Sequence, residues 1–110
     1  MASTEIQGEF EHRVLLATLR LGAMAFTSSI VLELEQRTGR EVAAAAVYVA
    51  LRRLESKGLV SSTLRRGDEA GQLRARRFFA ITASGVAALR ESRAELGRLW
   101  EGYESVLSEG

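Results

Sequence analysis

The chain of 110 residues contains no cysteine, one histidine and one aspartate. The absence of cysteine excludes disulfide bonds, thiolate metal sites and thiol nucleophiles, and nothing points to an oxidising compartment. His12 and Asp68 are too few to build a catalytic triad within one subunit, and the sequence has no glycine-rich phosphate loop. We therefore predict that the protein is not an enzyme and that it carries no metal ion or other cofactor.

Long apolar segments are also missing. The longest apolar run, residues 42–51, is about half of the roughly 20 residues that a helix needs to cross a bilayer. The N-terminus shows no basic segment followed by an apolar stretch, so no signal peptide is predicted. We expect a cytoplasmic protein without membrane insertion. Its length and its hydrophobic content of 46% are enough for one compact domain.

The formal net charge is only +1, but the charges are unevenly distributed along the chain. Residues 65–77 include five arginines and two acidic residues, whereas from residue 91 onward five glutamates outnumber two arginines. Charges act locally, over a Debye length of roughly 8 to 10 Å. The first region therefore suits a polyanionic partner, and the second repels one.

The spacing of apolar residues predicts three helices in the first half of the chain, at about 8–22, 27–38 and 42–57. Gly39 and Gly58 tolerate the left-handed backbone conformation that ends many helices, so they are expected to end the second and third helices. Two helices joined by so short a turn predict a helix-turn-helix.

Two short segments rich in valine, threonine, phenylalanine and isoleucine, at about 59–65 and 74–82, predict a β-hairpin. A final long helix follows over 83–110. Side-chain hydroxyls are expected to cap two helices, Thr27 or Ser28 the second and Thr82 the last. The predicted fold is mainly α with a small β-hairpin: a winged helix-turn-helix domain over residues 1–82 and a long C-terminal dimerisation helix.

The third helix presents a face that suits the major groove of DNA. With Val47, Leu51 and Leu54 turned toward the core, a rotation of 100° per residue turns Ala45, Tyr48, Val49, Arg52 and Ser56 outward. The alanines at 43–46 keep the helix slim enough to approach the bases. We predict DNA contacts from Ala44, Ala45, Tyr48 and Arg52, with Arg52 preferring a phosphate. The alternative is an alanine-rich buried helix with a solvated arginine pair.

The hairpin is predicted to bind the phosphate backbone or the minor groove through arginines at both ends of its loop. These arginines are Arg65, Arg66, Arg74 and Arg76. The alternative is that the charges only protect an exposed sheet edge from aggregation.

An apolar stripe along the last helix predicts a partner helix, and hence a homodimer. The stripe consists of Val86, Leu89, Arg93, Leu96, Trp100, Tyr103 and Leu107. Arg93 interrupts it and is expected to pair with a glutamate of the partner or to reach water. Aromatic residues in such a stripe usually belong to the dimer seam. The alternative for Trp100 is a cavity between subunits that takes a small aromatic effector.

Two segments of the sequence resemble the PadR family of bacterial regulators: residues 47–60, which read VYVALRRLESKGLV, and residues 76–85, which read RRFFAITASG. The match runs from roughly residue 23 to 89. The resemblance implies a winged-helix homodimer, usually a repressor, in which Tyr48 lies on the recognition helix and the second wing strand begins with Arg76, Arg77 and Phe78. The chain departs from the family pattern at Ala43–Ala46 and at Ala25–Thr27.

The sequence thus predicts a regulator that binds double-stranded DNA at an inverted-repeat operator, as a homodimer and as a repressor. The alternative is a winged-helix module used only for protein contacts. A DNA-binding protein should lose affinity for every DNA sequence, and show a shallower salt dependence, when the hairpin arginines are reversed in charge. A module used only for protein contacts should be indifferent to that change.

Overall fold

The computed structural model describes Ile6, residues 8–66 and residues 75–108. The elements are α1 (Gly8–Leu21), a 3-10 turn (Gly22–Met24), α2 (Thr27–Thr38), α3 (Ala44–Ser56), β1 (Val60–Arg66), β2 (Ala75–Ile81), α4 (Ala83–Trp100) and α5 (Glu104–Ser108). The two strands pair antiparallel. The predicted fold class, mainly α with one hairpin, is confirmed.

The hydrophobic core lies where α1, α2 and α3 meet the base of the hairpin. Its largest fully buried side chains are Phe79, Leu15, Ile30, Leu51, Leu54, Leu59, Val14 and Val47. The predicted inward face of α3 is therefore confirmed, because Val47, Leu51 and Leu54 are all completely buried. Burying each such side chain stabilises the fold by about 1.5 to 3 kcal/mol before the entropy of ordering is subtracted.

The helix ends agree with the sequence prediction at three of four positions. Gly39 has a φ of 71° and its N–H donates to the carbonyl of Glu35, which ends α2. Gly58 has a φ of 77° and follows α3 directly after its last turn. The hydroxyl of Thr82 accepts the N–H of Gly85 at 3.0 Å, which caps α4.

The predicted cap of α2 is wrong. The residue before the helix is Phe26, and the hydroxyl of Ser29 accepts its N–H at 2.9 Å. Thr27 is already the first helical residue, so neither it nor Ser28 stands where a capping side chain must stand. The reason is tertiary: Phe26 is extended because it forms a β-bridge with Phe78 of the hairpin, and the helix can begin only after it.

The prediction of one continuous helix over 83–110 is also wrong. The helix α4 ends at Trp100, and the backbone of Glu101 is extended, with a ψ of 126°. Gly102 then adopts a φ of 84°, in the left-handed region that glycine occupies without steric cost. The short helix α5 begins two residues later. None of the described helices is long and apolar enough to cross a membrane.

Candidate nucleic-acid interface and subunit surface

The predicted base-reading residues share the solvent-facing side of α3. Tyr48 is 44% exposed, and Ala44, Ala45 and Arg52 are exposed as well. Small alanine side chains precede the tyrosine, so the N-terminal half of the helix has no bulky group that would keep it away from a groove. All four residues therefore lie on one exposed face of α3, where a single ligand can contact them together.

The hairpin places two of its predicted arginines directly opposite each other. Arg65 pairs in register with Arg76, and Arg66 pairs with Ala75. Directly opposed residues of an antiparallel pair project from the same face of the sheet. All three arginines are exposed, and none forms an ion pair with another residue in the described part of the chain. Arg74 lies outside the described residues.

Two phenylalanines lie beneath these arginines. The rings of Phe26 and Phe78 meet edge to face, with their centroids 5.3 Å apart. The guanidinium of Arg65 lies 4.4 Å from the centroid of Phe78, and that of Arg76 lies 4.2 Å from the centroid of Phe26. Sequence reasoning missed Phe26, because its partner is some fifty residues away in the chain. The alternation of Arg76 and Phe78 on one strand face was the only local sign of such stacking.

A hydrogen-bond network connects α3 to the hairpin. Glu55 accepts from Arg52 at 3.0 Å through one carboxylate oxygen and from the hydroxyl of Ser62 through the other. That hydroxyl in turn accepts from Arg77 at 2.9 Å. Arg77 therefore turns toward α3, whereas Arg76 points to the opposite face. The network fixes the hairpin against the helix, and it restrains Arg52, one of the predicted DNA contacts.

Glu55→Gln is expected to raise the affinity for a DNA duplex of mixed sequence by about 2- to 5-fold, because it removes a negative charge beside Arg52 and releases that arginine to a phosphate. The dependence of log K on log salt should steepen by up to about 0.9. Fluorescence anisotropy at several salt concentrations measures both effects. Glu33→Gln is the matched control, because Glu33 is also paired with arginine, here with Arg20 and Arg37 on α1 and α2. A lower affinity in Glu55→Gln would contradict this role.

The predicted dimer stripe divides into two parts. Leu89 is only 7% exposed and belongs to the core of its own subunit, and Val86 is half-buried. The side chains further along are exposed. They are Arg93, Leu96, Trp100, Tyr103 and Leu107. The first two turns of the stripe therefore pack largely on the chain itself, and the predicted role of the whole stripe in a dimer stays a prediction. A hydrophobic spacing along one helix cannot show which part of it packs internally.

An open groove between α1 and α4 adds apolar surface that the sequence did not predict. Its apolar lining consists of Leu16, Leu19, Val86, Leu89 and Leu96, and more polar residues complete it. His12 also lines it, with its Nδ1 3.0 Å from the hydroxyl of Ser92. Burial lowers the pKa of His12 below its usual range, because desolvation disfavours the charged ring. In the described part of the chain, no three histidine, aspartate or glutamate side chains are grouped as a metal site.

The comparisons with known proteins agree with this geometry. A family model described as the transcriptional regulator PadR-like family matches residues 15–91. The structure is similar to that of a PadR-like transcription factor from Bacteroides fragilis, with a TM-score of 0.73 and 22% identity over 88% of each chain. No curated protein matches the chain with significance.

Two further solved structures are similar. A PadR-like transcriptional regulator from Bacillus cereus gives a TM-score of 0.71 at 19% identity, over 96% of this chain and 97% of that one. A PadR family transcriptional regulator from Eggerthella lenta gives a TM-score of 0.66 at 28% identity, over 92% of this chain and 89% of that one. At such identities the likeness extends to the fold, and the functional residues must be argued from this chain alone.

Proposed function

The chain belongs to the PadR-like transcriptional regulator family, and from that premise we propose that it binds double-stranded DNA sequence-specifically, as a homodimeric repressor at an inverted-repeat operator. One observation carries the proposal. The exposed face of α3 adjoins a hairpin on which Arg65 and Arg76 stand opposed, without an acidic partner in the described part of the chain. A polyanion is the ligand that relieves such repulsion.

In the proposed complex, α3 enters the major groove. Ala44 and Ala45 contact base edges and thymine methyl groups, and Tyr48 reaches a base or a phosphate. Arg52 binds a phosphate. The hairpin arginines contribute affinity that does not depend on sequence. These arginines are Arg65, Arg66 and Arg76, together with Arg74 by sequence prediction.

A second copy of the chain is the proposed partner of the apolar surface formed by α1 and the C-terminal half of α4. Leu96 and Trp100 are exposed on α4, and Tyr103 and Leu107 are exposed in the turn and the short helix α5 that follow it. Exposed apolar side chains of this size are typical of subunit interfaces. Two-fold symmetry would bring the two α3 helices into successive major grooves, about 34 to 36 Å apart. Occupation of a promoter by this dimer would exclude polymerase.

The proposal also includes an effector site and a cellular location. Trp100 is exposed at the end of α4, so a small aromatic effector bound there would lie between the two subunits. A regulator of this kind acts without catalysis and in the bacterial cytoplasm, where the DNA is. A module used only for protein contacts is the second candidate, but it gives no reason for the opposed arginines, which have no acidic partner among the residues that the structure describes.

The test is fluorescence anisotropy of a labelled duplex from the region upstream of the protein's own gene, beside a scrambled duplex of equal length. The wild type should prefer the native duplex and lose affinity steeply with salt. Arg65→Gln with Arg76→Gln should weaken binding to both duplexes about tenfold at low salt, and should reduce the slope of log K against log salt by about 1.8.

Arg13→Gln is the matched control, because Arg13 lies on α1 and pairs with Glu9 at 2.6 Å. It should leave both duplexes unaffected. If the wild type binds neither the native nor the scrambled duplex at low salt, the DNA-binding proposal fails. A winged-helix module used only for protein contacts then becomes the better explanation of this fold.

A further inference from the structure

We propose that Phe26 and Phe78 are positioning residues of the DNA-binding surface. Each ring holds the guanidinium group of one arginine, Arg65 or Arg76, so that the hairpin presents two pre-positioned groups for binding phosphate. This inference rests on the proposed DNA-binding function. It adds two aromatic residues that touch no nucleotide and act through the arginines they support.

The contacts form a compact cluster of two rings and two cations. Each guanidinium carbon lies within about 6 Å of a ring centroid, the range in which cation–π attraction is appreciable. The two rings are inclined by 71°, so the edge of one meets the face of the other. Aromatic pairs prefer this arrangement. Arg65 therefore lies on Phe78 and Arg76 lies on Phe26, and the two rings also contact each other.

The backbone fixes both rings. Phe78 lies within β2, opposite Thr63 of β1. Phe26 is bridged to Phe78, and the next residue of the strand, Phe79, donates its N–H to the carbonyl of Ala25 at 2.8 Å. The segment before α2 therefore behaves as a short third strand beside the hairpin. This pairing keeps the two Cα atoms close together, so the rings remain within reach of each other.

Stacking leaves the arginines free to bind a phosphate. A guanidinium presents its flat face to the ring, while its five N–H donors lie in its plane and point away from it. A stacked side chain also loses less rotamer freedom when a phosphate binds. Without the rings, the charges of Arg65 and Arg76 would drive the two side chains apart, because they stand directly opposite each other on one sheet face.

The experiment combines the aromatic variants with an arginine variant. Phe26→Leu and Phe78→Leu keep an apolar side chain but remove the ring. Each should weaken binding to a fluorescein-labelled duplex of mixed sequence about 2- to 5-fold, and the double variant roughly tenfold. The salt slope should stay close to that of the wild type, because no charge is lost. Phe26→Tyr, which retains the ring face, should bind within about twofold of the wild type.

A double-mutant cycle separates positioning from a general effect on folding. In an Arg76→Gln background, Phe26→Leu should cost clearly less affinity than in the wild type, because its direct partner is gone and only its support of Phe78, under Arg65, remains. Phe10→Leu is the matched control, because Phe10 lies on α1 and is also partly exposed. Circular dichroism melting of every variant, without DNA, reports whether the hairpin remains folded.

Three outcomes would overturn the inference. The first is unchanged affinity in Phe26→Leu and Phe78→Leu. The second is an equal loss from Phe26→Leu with and without Arg76, which would show that the ring matters only for folding. The third is a loss in Phe26→Tyr as large as that in Phe26→Leu. All three presuppose that the wild-type protein binds the duplex, and its failure to bind would instead count against the proposed function.

Discussion

Gly85→Ala is expected to destabilise the folded protein by about 3 kcal/mol or more, a large share of the stability of a small domain. A Cβ atom at this position would lie 2.2 Å from the carbonyl oxygen of Leu59 and 2.6 Å from a side-chain carbon of Ile81. The first of these is backbone. That carbonyl also accepts the N–H of Thr82 at 3.0 Å, so it cannot move without loss of a further bond.

Gly97→Ala provides the matched control, because Gly97 lies in the same helix with open space around its Cα. Alanine has the better helix propensity, so this variant should gain about 0.5 to 1 kcal/mol. Urea denaturation followed by circular dichroism, at one protomer concentration, compares the two. Equal denaturation midpoints for Gly85→Ala and the wild type would show that α4 does not approach the carbonyl of Leu59 as closely as described.

Leu96→Glu is expected to convert the protein to a monomer and to reduce operator affinity by at least about 100-fold. Leu96 is 52% exposed and lines the apolar groove with Leu16 and Leu19. In the proposed dimer, a glutamate at position 96 would be buried against the second subunit, and burying a charge in an apolar interface is strongly unfavourable. A monomer reads one half-site only, so it loses the gain from linking two binding domains.

Size-exclusion chromatography with light scattering measures the mass, and anisotropy on the upstream duplex measures the affinity. Leu32→Glu is the control, since Leu32 is an equally exposed leucine but lies on α2. It should remain dimeric with nearly unchanged affinity. A Leu96→Glu protein that stays dimeric would remove this groove from the interface and direct attention to the surface beyond Trp100.

Local sequence patterns predicted the elements that depend on local physics. The spacing of apolar residues located α1, α2 and α3 within about two residues at each end, and it identified the buried face of α3. Gly39, Gly58 and Thr82 marked helix ends because the constraint at those positions is a backbone conformation or a nearby N–H group. Such constraints operate within a few residues and can therefore be read from the sequence.

The remaining features depend on contacts between distant segments. The start of α2 is set by the pairing of Phe26 with Phe78, which no local pattern contains. Leu89 fits a dimer stripe as well as it fits a core, and only the packing of α4 on its own subunit distinguishes the two. The stacking of Arg76 on Phe26 likewise appears only once the hairpin lies beside the segment before α2.

The close approach of α4 to Leu59 and Ile81 at Gly85 fixes one end of this helix and leaves the other end far from the hairpin. Its N-terminal end is fixed to the hairpin through Gly85 and Thr82, while Trp100 lies fifteen residues further along, roughly 22 Å away at 1.5 Å per residue. If α4 pivoted by about 10° about its Trp100 end, the winged domain attached at its other end would move by about 4 Å. In the proposed dimer, this motion would change the separation of the two α3 helices. A molecule bound far from DNA would thereby alter the fit to the operator without touching a DNA contact.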